Sequence, residues 1–162
     1  MVVSNNKIVG INYSLFDDAH NLLDSNEGYA PLVYLHGAKN IIPGLESALE
    51  GMETAERKEI SVSPENAYGF RDIRKVYTLL ANEYDALGMV EGDSIRLSDG
   101  REAIVHSTSS EVLTVDENHP LAGMLLHFDI TVVFIKEATL EEVAHGFPLA
   151  EANPWCCIPG CC

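Results

Sequence analysis

The segment Ile41-Ile42-Pro43-Gly44, with Leu45, Ala48, Leu49 and Met52 after it, most constrains how this chain can fold. Pro43-Gly44 forces a turn, because proline presets one backbone angle and glycine tolerates conformations closed to other residues. The apolar residues beyond it recur at helical spacing, with Glu46 and Glu50 on the other side and Gly51 near the end as a stop. The expected unit is an apolar lead-in, a tight turn and a short amphipathic helix that must bury one face. Gly44 permits close approach by another group, and the start of a helix leaves amide N–H groups without intrahelical partners. Acceptors can dock there, although an ordinary strand-turn-helix packed on a sheet has the same pattern.

Extended structure dominates the rest. Lys7–Leu15 alternates and reads as a half-buried strand, with Val9, Ile11, Tyr13 and Leu15 opposing Ile8, Gly10, Asn12 and Ser14. Leu22–Asp24 resumes extended structure after turn residues, and Thr54–Val62 alternates again. Met124–Lys136 reads as a long strand with Leu126, Phe128, Ile130, Val132 and Phe134 on one face. Thr139 and Glu142 have capping-box spacing and open a short helix ending at His145-Gly146. Between Gly69 and His119, strands are expected at Ser94–Leu97, Glu102–Thr108 and Val112–Val115, with a helical turn over Asn82–Leu87. That segment reads as a small β-rich lobe, marginal by itself.

Composition narrows the function. The 162-residue chain is 46% hydrophobic, enough for a packed core in one domain or two small ones. A net charge of −15 argues against nucleic acid as a partner. No apolar run approaches a membrane span, and residues 1–7 lack a basic region followed by an apolar core. The expectation is a cytoplasmic monomer. The six histidines are scattered without HxxxH or HExxH spacing, so no catalytic metal site is expected in the body of the chain.

Two motifs at short interval, Pro31–Met52 and Pro64-Glu-Asn-Ala-Tyr-Gly69, resemble the FK506-binding-protein (FKBP) type of peptidyl-prolyl isomerase, and within it the SlyD branch. The resemblance spans roughly residues 5–146. It implies an α+β, mainly β fold: an FKBP-like antiparallel sheet around a short helix, split by an inserted small domain. The isomerase domain would be residues 1–74 and 117–146, the insert-in-flap chaperone domain 75–116, and the cysteine-bearing tail 147–162. The implied activity is rotation of X-Pro bonds, with no cofactor required, together with binding of unfolded, proline-containing polypeptides. The alternative is a non-catalytic holdase or metallochaperone.

Carried over by position, the resemblance implies that Tyr13 lines the pocket and that Asp24 is the carboxylate at its edge. Ile42 would offer a backbone N–H to a substrate carbonyl, and Leu45 would form the floor. Tyr68 would offer its hydroxyl, Leu121 and Phe128 would close the proline wall, and Tyr34 would extend that wall. Most folds with such strands would place Tyr13, Tyr34, Leu45 and Phe128 in the core, and Asp24 alone also fits a turn. The hairpin Asp18–Asn21, the loop Ser25–Tyr29 and the stretch Val76–Leu80 depart from the family pattern.

All four cysteines, Cys156, Cys157, Cys161 and Cys162, lie within the last seven residues and cannot staple the fold. Four thiolates suit a soft or borderline ion, zinc or nickel, and Pro159-Gly160 would let both pairs face it. In the family, histidine-rich tails deliver nickel during metalloenzyme maturation. This tail has no histidine, which argues against a high-capacity store.

Overall fold

The computed structural model describes residues 1–84 and 88–149. The chain forms two compact units, one of Met1–Gly69 with the chain from Met124 onward, the other of Phe70–Gly123. In chain order the elements are β1 (Lys7–Phe16), β2 (Leu22–Ser25), β3 (Leu32–Leu35), α1 (Pro43–Leu49) and β4 (Arg57–Val62). Next come β5 (Val76–Leu80), β6 (Ser94–Arg96), β7 (Glu102–Thr108), β8 (Val112–Asp116), β9 (Leu126–Glu137) and α2 (Leu140–His145). The chain is thus mostly antiparallel β with two short helices.

In the first unit the strand order is β2–β1–β9–β4. β3 joins the same edge of β1 as β2: Ile8–Ile11 pair with Leu32–Leu35, and Ser14–Phe16 pair with β2. β1 and β9 run antiparallel from Lys7↔Glu137 to Phe16↔His127. One irregularity interrupts them. Gly10 pairs with Phe134 but Ile11 pairs with Val132, leaving Val133 as an extra residue. A bulge of one residue reverses the facing of everything beyond it. Leu126, Phe128, Ile130 and Val132 share a face, as expected, but Phe134 turns to the opposite one. There it joins Ile8, Val33, Leu35, Ala38 and Ala138 in a second apolar cluster.

That cluster corrects the reading of β1 as half-buried. Residues Ile8 to Ile11 are buried on both faces, whereas Asn12 is exposed. It also explains Gly10. A Cβ there would lie 2.3 Å from an edge carbon of the Phe134 ring, so only glycine fits beneath it. α1 buries Leu45 and Leu49 on the other face and packs on β4. Each leucine contributes about 1.5–3 kcal/mol by leaving water. β4 begins at Arg57 rather than at Thr54, because a turn with Ala55 at φ 69° precedes it.

The second unit is a four-stranded sheet in the order β5–β8–β7–β6, closed over Ala81, Ile95, Leu97, Ala103, Val105, Leu113 and Val115. Tyr77, Leu79, Tyr84 and Met89 pack against this cluster, whereas Leu80 is 57% exposed. Of the helical turn expected over Asn82–Leu87, the described part is a tight turn at Ala81–Glu83, and residues 85–87 lie outside the described residues. The unit begins and ends further out than residues 75 and 116, because its two ends clasp each other. Asp72 N–H donates to Asn118 Oδ1 at 2.8 Å, Asn118 Nδ2 returns a bond to Asp72 O at 2.9 Å, and Arg71 pairs with Asp116. Of the tail 147–162, residues 150–162, with all four cysteines, lie outside the described residues.

α2 carries the expected capping box. Thr139 Oγ1 accepts from Glu142 N–H at 3.2 Å, and Glu142 Oε2 accepts from Thr139 N–H at 2.8 Å. Glu142 is only 4% exposed. The bond from the Thr139 backbone N–H, with further help from the Thr139 hydroxyl and Leu149 N–H, holds its carboxyl below the usual carboxylate range.

Two outcomes follow from this packing. Gly10→Ala lowers stability by about 1–3 kcal/mol through overpacking against Phe134, measured as a lower urea midpoint at unchanged slope. Because folding depresses the Glu142 pKa, its contribution is complete above the unfolded value of about 4.3 and is lost as pH falls through the folded value. Glu142→Gln therefore lowers the melting temperature at pH 7, and its deficit relative to wild type shrinks as pH drops below about 4.

Candidate functional site

β1, β9 and β4 bring the inner-face residues of the first unit together by register. Tyr13 lies opposite Ile130, Leu15 opposite Phe128, Ile60 opposite Phe128, and Val62 opposite Leu126. Paired residues on antiparallel strands point to the same side. The Tyr13 and Phe128 rings are accordingly neighbours, with centroids 6.5 Å apart and planes tilted by 53°. Phe128, Leu126, Ile130 and Val62 are buried, and Tyr13 is half-buried at their margin.

At that margin stands a carboxylate. β2 pairs Asp24 with Leu15, which brings it beside Tyr13, and the Tyr13 hydroxyl donates to Asp24 Oδ2 at 2.6 Å. Asp24 Oδ1 accepts from Ser25 N–H at 2.8 Å, so both oxygens are held while the side chain remains at the surface. An exposed carboxylate beside an apolar wall can order a bound chain without taking part in proton transfer.

The start of α1 supplies a second polar feature. Ile42 caps the helix, and its carbonyl accepts from Leu45 N–H at 3.1 Å and Glu46 N–H at 3.0 Å. Its own N–H has no acceptor among the described residues. Leu45 is 4% exposed. Gly44 is pressed against the adjoining turn: a Cβ there would lie 2.4 Å from Val62 Cγ1 and 3.0 Å from the Asn66 carbonyl. That turn, Pro64–Asn66, is closed by Ala67 N–H and Gly69 N–H donating to Pro64 O at 3.1 and 2.7 Å, and it carries half-buried Tyr68 between them.

Tyr34 belongs elsewhere. It is 1% exposed, its hydroxyl meets His36 Nδ1 at 3.0 Å, and His36 Nε2 meets Glu50 Oε2 at 2.6 Å. Burial, with Glu46 and Glu50 nearby, pushes the Tyr34 phenol far above its ordinary range. The chain Tyr34–His36–Glu50 fixes the C-terminal end of α1, a helix length of about 10 Å from Ile42. Tyr34 is a core residue rather than a wall residue. Leu121 falls in the second unit, where its N–H donates to His119 Nδ1 at 3.1 Å.

Sequence reasoning set Leu126 and Ile130 on one face with Phe128 but named neither of them, nor Val62, as a site residue. It also passed over Asn26, whose part depends on tertiary contacts. Beyond the second apolar cluster, the outer face of the same sheet is polar where β4 pairs with the first half of β9. Arg57 pairs with both oxygens of Asp129 and, by hydrogen bond and charge, holds that carboxyl below its usual range. Ser61 Oγ and His127 Nδ1 lie 2.8 Å apart. The second unit has a polar cleft of about 220 Å3, whose charged lining includes the paired Arg71 and Asp116. Among the described residues no three His, Cys, Asp or Glu side chains are grouped to hold a metal ion.

The model of the FKBP-type peptidyl-prolyl cis-trans isomerase family matches residues 2–83. The chain is 37% identical over 149 residues to the FKBP-type peptidyl-prolyl cis-trans isomerase SlyD of Aeromonas hydrophila, covering 90% of this chain and 70% of that protein. Identity to SlyD of Haemophilus influenzae is 35% over 150 residues, covering 90% and 79%. Identity to SlyD of Escherichia coli K12 is 33% over 150 residues, covering 90% and 76%. Among solved structures, FkpA from Escherichia coli is similar at a TM-score of 0.49 and 17% identity, covering 85% of this chain and 44% of that one. With these relatives the chain belongs to the FKBP-type peptidyl-prolyl cis-trans isomerases, which need no cofactor.

Proposed function

We propose that Tyr13, Asp24, Ile42, Leu45, Tyr68 and Phe128 form the isomerase site of this enzyme, and that the second unit binds unfolded polypeptide for it. The observation that carries the first part is the Tyr13–Asp24 hydrogen bond at the edge of the Phe128 wall. Rotation about an X-Pro bond faces a barrier of about 18–20 kcal/mol set by amide resonance. No bond breaks, so the enzyme needs only to bind the twisted amide more tightly than either planar form. The twisted amide is less polar than the planar one, so a dry wall of Phe128 and Leu45 favours it. The Ile42 N–H is placed to take a substrate carbonyl, and the carboxylate and Tyr68 hydroxyl to hold the flanking chain.

The second part is supported by apolar side chains that the second unit leaves at its surface. Leu80 and Val112 face each other across β5 and β8 and are 57% and 41% exposed, and Ile73 is 84% exposed. Unfolded chains offer apolar segments that such side chains can cover. The alternative reading, a metallochaperone, rests on the thiolate chemistry of Cys156, Cys157, Cys161 and Cys162 with zinc or nickel. It concerns residues outside those described.

Catalysed refolding of a protein limited by a proline isomerisation tests both parts, because the uncatalysed step takes tens to hundreds of seconds. Tyr68→Ala is expected to slow catalysis of both the refolding protein and a short proline peptide. Leu80→Ser with Val112→Ser is expected to slow only the refolding reaction. Equal activity of all variants on the refolding protein removes the chaperone reading, and an unchanged peptide rate for Tyr68→Ala removes Tyr68 from the site. Gly44→Ala displaces the turn ahead of Tyr68 and is expected to lower kcat/KM on the peptide about tenfold while circular dichroism stays unchanged.

A further inference from the structure

β1 has a gap on one edge. β3 pairs with it only as far as Ile11↔Leu32, and β2 begins only at Ser14↔Ser25. Tyr13 lies in between, at the point where this edge of β1 has no strand beside it. Asn26 fills the gap. Its Oδ1 accepts from Tyr13 N–H at 2.7 Å, its Nδ2 donates to Ile11 O at 3.0 Å, and its own N–H donates to Tyr13 O at 3.2 Å. Nδ2 also reaches Ala30 O at 3.4 Å, across the loop that leads to β3. One side chain thus stands in for the missing rung and ties both half-strands to β1.

We infer that Asn26 is a positioning residue of the isomerase, setting the Tyr13 hydroxyl against the Asp24 carboxylate. The inference rests on the reading of Tyr13 and Asp24 as site residues. Asp24 and Asn26 are two positions apart on one segment, and Tyr13 is bound by both: by its hydroxyl to Asp24 and by its backbone to Asn26. Three anchors on Asn26 therefore fix the register in which the carboxylate meets the phenol. Without them the 24–30 segment can slide along β1 while the rest of the sheet, paired through β9, stays in place. Ser25 does not replace this role. Its hydroxyl donates to Tyr13 O at 3.1 Å and accepts from Glu27 N–H at 3.0 Å, which leaves Tyr13 N–H and Ile11 O to Asn26.

A double-mutant cycle on the full chain decides it, with kcat/KM on a short proline peptide as the readout. Asn26→Ala is expected to lower kcat/KM about tenfold in the wild-type background but less than about twofold in the Tyr13→Phe background, since both act through one pair. Thr139→Ala weakens the α2 cap without touching this face, and its unchanged kcat/KM shows that lost stability alone does not lower the rate. Should Asn26→Ala fail to fold, Asn26→Asp keeps the acceptor for Tyr13 N–H but places an oxygen against Ile11 O. Its kcat/KM, taken as a ratio to the wild type at the same pH, is then expected to recover as pH falls and the new carboxyl becomes a donor. Full activity in Asn26→Ala, losses that multiply across the cycle, or a pH-independent Asn26→Asp each overturns the inference. Full activity in Tyr13→Phe alone overturns the underlying site reading, a distinct result because Asn26 is intact in that variant.

Discussion

The β1–β9 ladder is the interaction on which the first unit depends. Each of its strands has a second job: β1 carries β2 and β3 on its other edge, and β9 carries β4. Every inner-face residue of the candidate site reaches its place through that register. The single extra residue at Val133 is what lets one ladder serve two cores. Before the bulge β9 presents Leu126, Phe128, Ile130 and Val132 to the face that α1 covers, and after it Phe134 faces the cluster built on Ile8, Val33 and Leu35. A shift of one residue anywhere in this pairing would send Phe128 to the polar face beside Arg57 and Ser61. The bulge and Gly10 are thus parts of one device, since the ring that the bulge turns over lies on the glycine.

The contrast between the sheet's faces along β4 and the first half of β9 accounts for how a strongly acidic chain keeps one face dry. Charges are concentrated on the outer face and in the loops. The Arg57–Asp129 pair spans β4 and β9 there, and such an exposed pair contributes about 1 kcal/mol at most. The inner face has no such pair. Its polar atoms include the phenol of Tyr13, the carboxylate of Asp24, the N–H of Ile42 and the ammonium of Lys58, which donates to Ala48 O at 3.0 Å. This separation follows from alternation in β4 from Glu59 onward and in the first half of β9. A reaction that needs a low-polarity surface and a few fixed hydrogen-bonding groups is well served by it.

Much of the framework was legible in the sequence because it rests on local chemistry. The Pro43-Gly44 turn, the α1 stripe, the Thr139–Glu142 capping box and the alternation of β1 and β9 each need only neighbouring residues to be understood. What was hidden depends on partners distant in sequence. β3 and β5 are short and lack a clear alternating pattern, so nothing in Leu32–Leu35 or Val76–Leu80 marks them as strands apart from their neighbours β1 and β8. The facing of Phe134 depends on a bulge that exists only once β9 is paired. Tyr34 looked like a pocket aromatic, but its hydroxyl belongs to a buried chain through His36 to Glu50. Family resemblance pointed to Tyr13, Asp24 and Phe128, which strand register and the Tyr13–Asp24 hydrogen bond bring together. Residue type by itself pointed to the core.

An enzyme that only rotates a bond has no nucleophile or metal to mark its active centre, and this shifts the burden of catalysis onto placement. Tyr13 is set by β9 through its side-chain neighbours, by Asp24 through its hydroxyl and by Asn26 through its backbone. Ile42 and Leu45 are set by a turn so tight that a Cβ at position 44 would collide with Val62 and press on the Asn66 carbonyl. Each of these constraints acts on backbone position rather than on reactivity. Substitutions that move a strand or a turn by a fraction of an ångström should then affect the rate as much as loss of a side chain facing the substrate. The residues that tune such an enzyme are to be sought among its glycines and strand-bridging amides as much as among its aromatic rings.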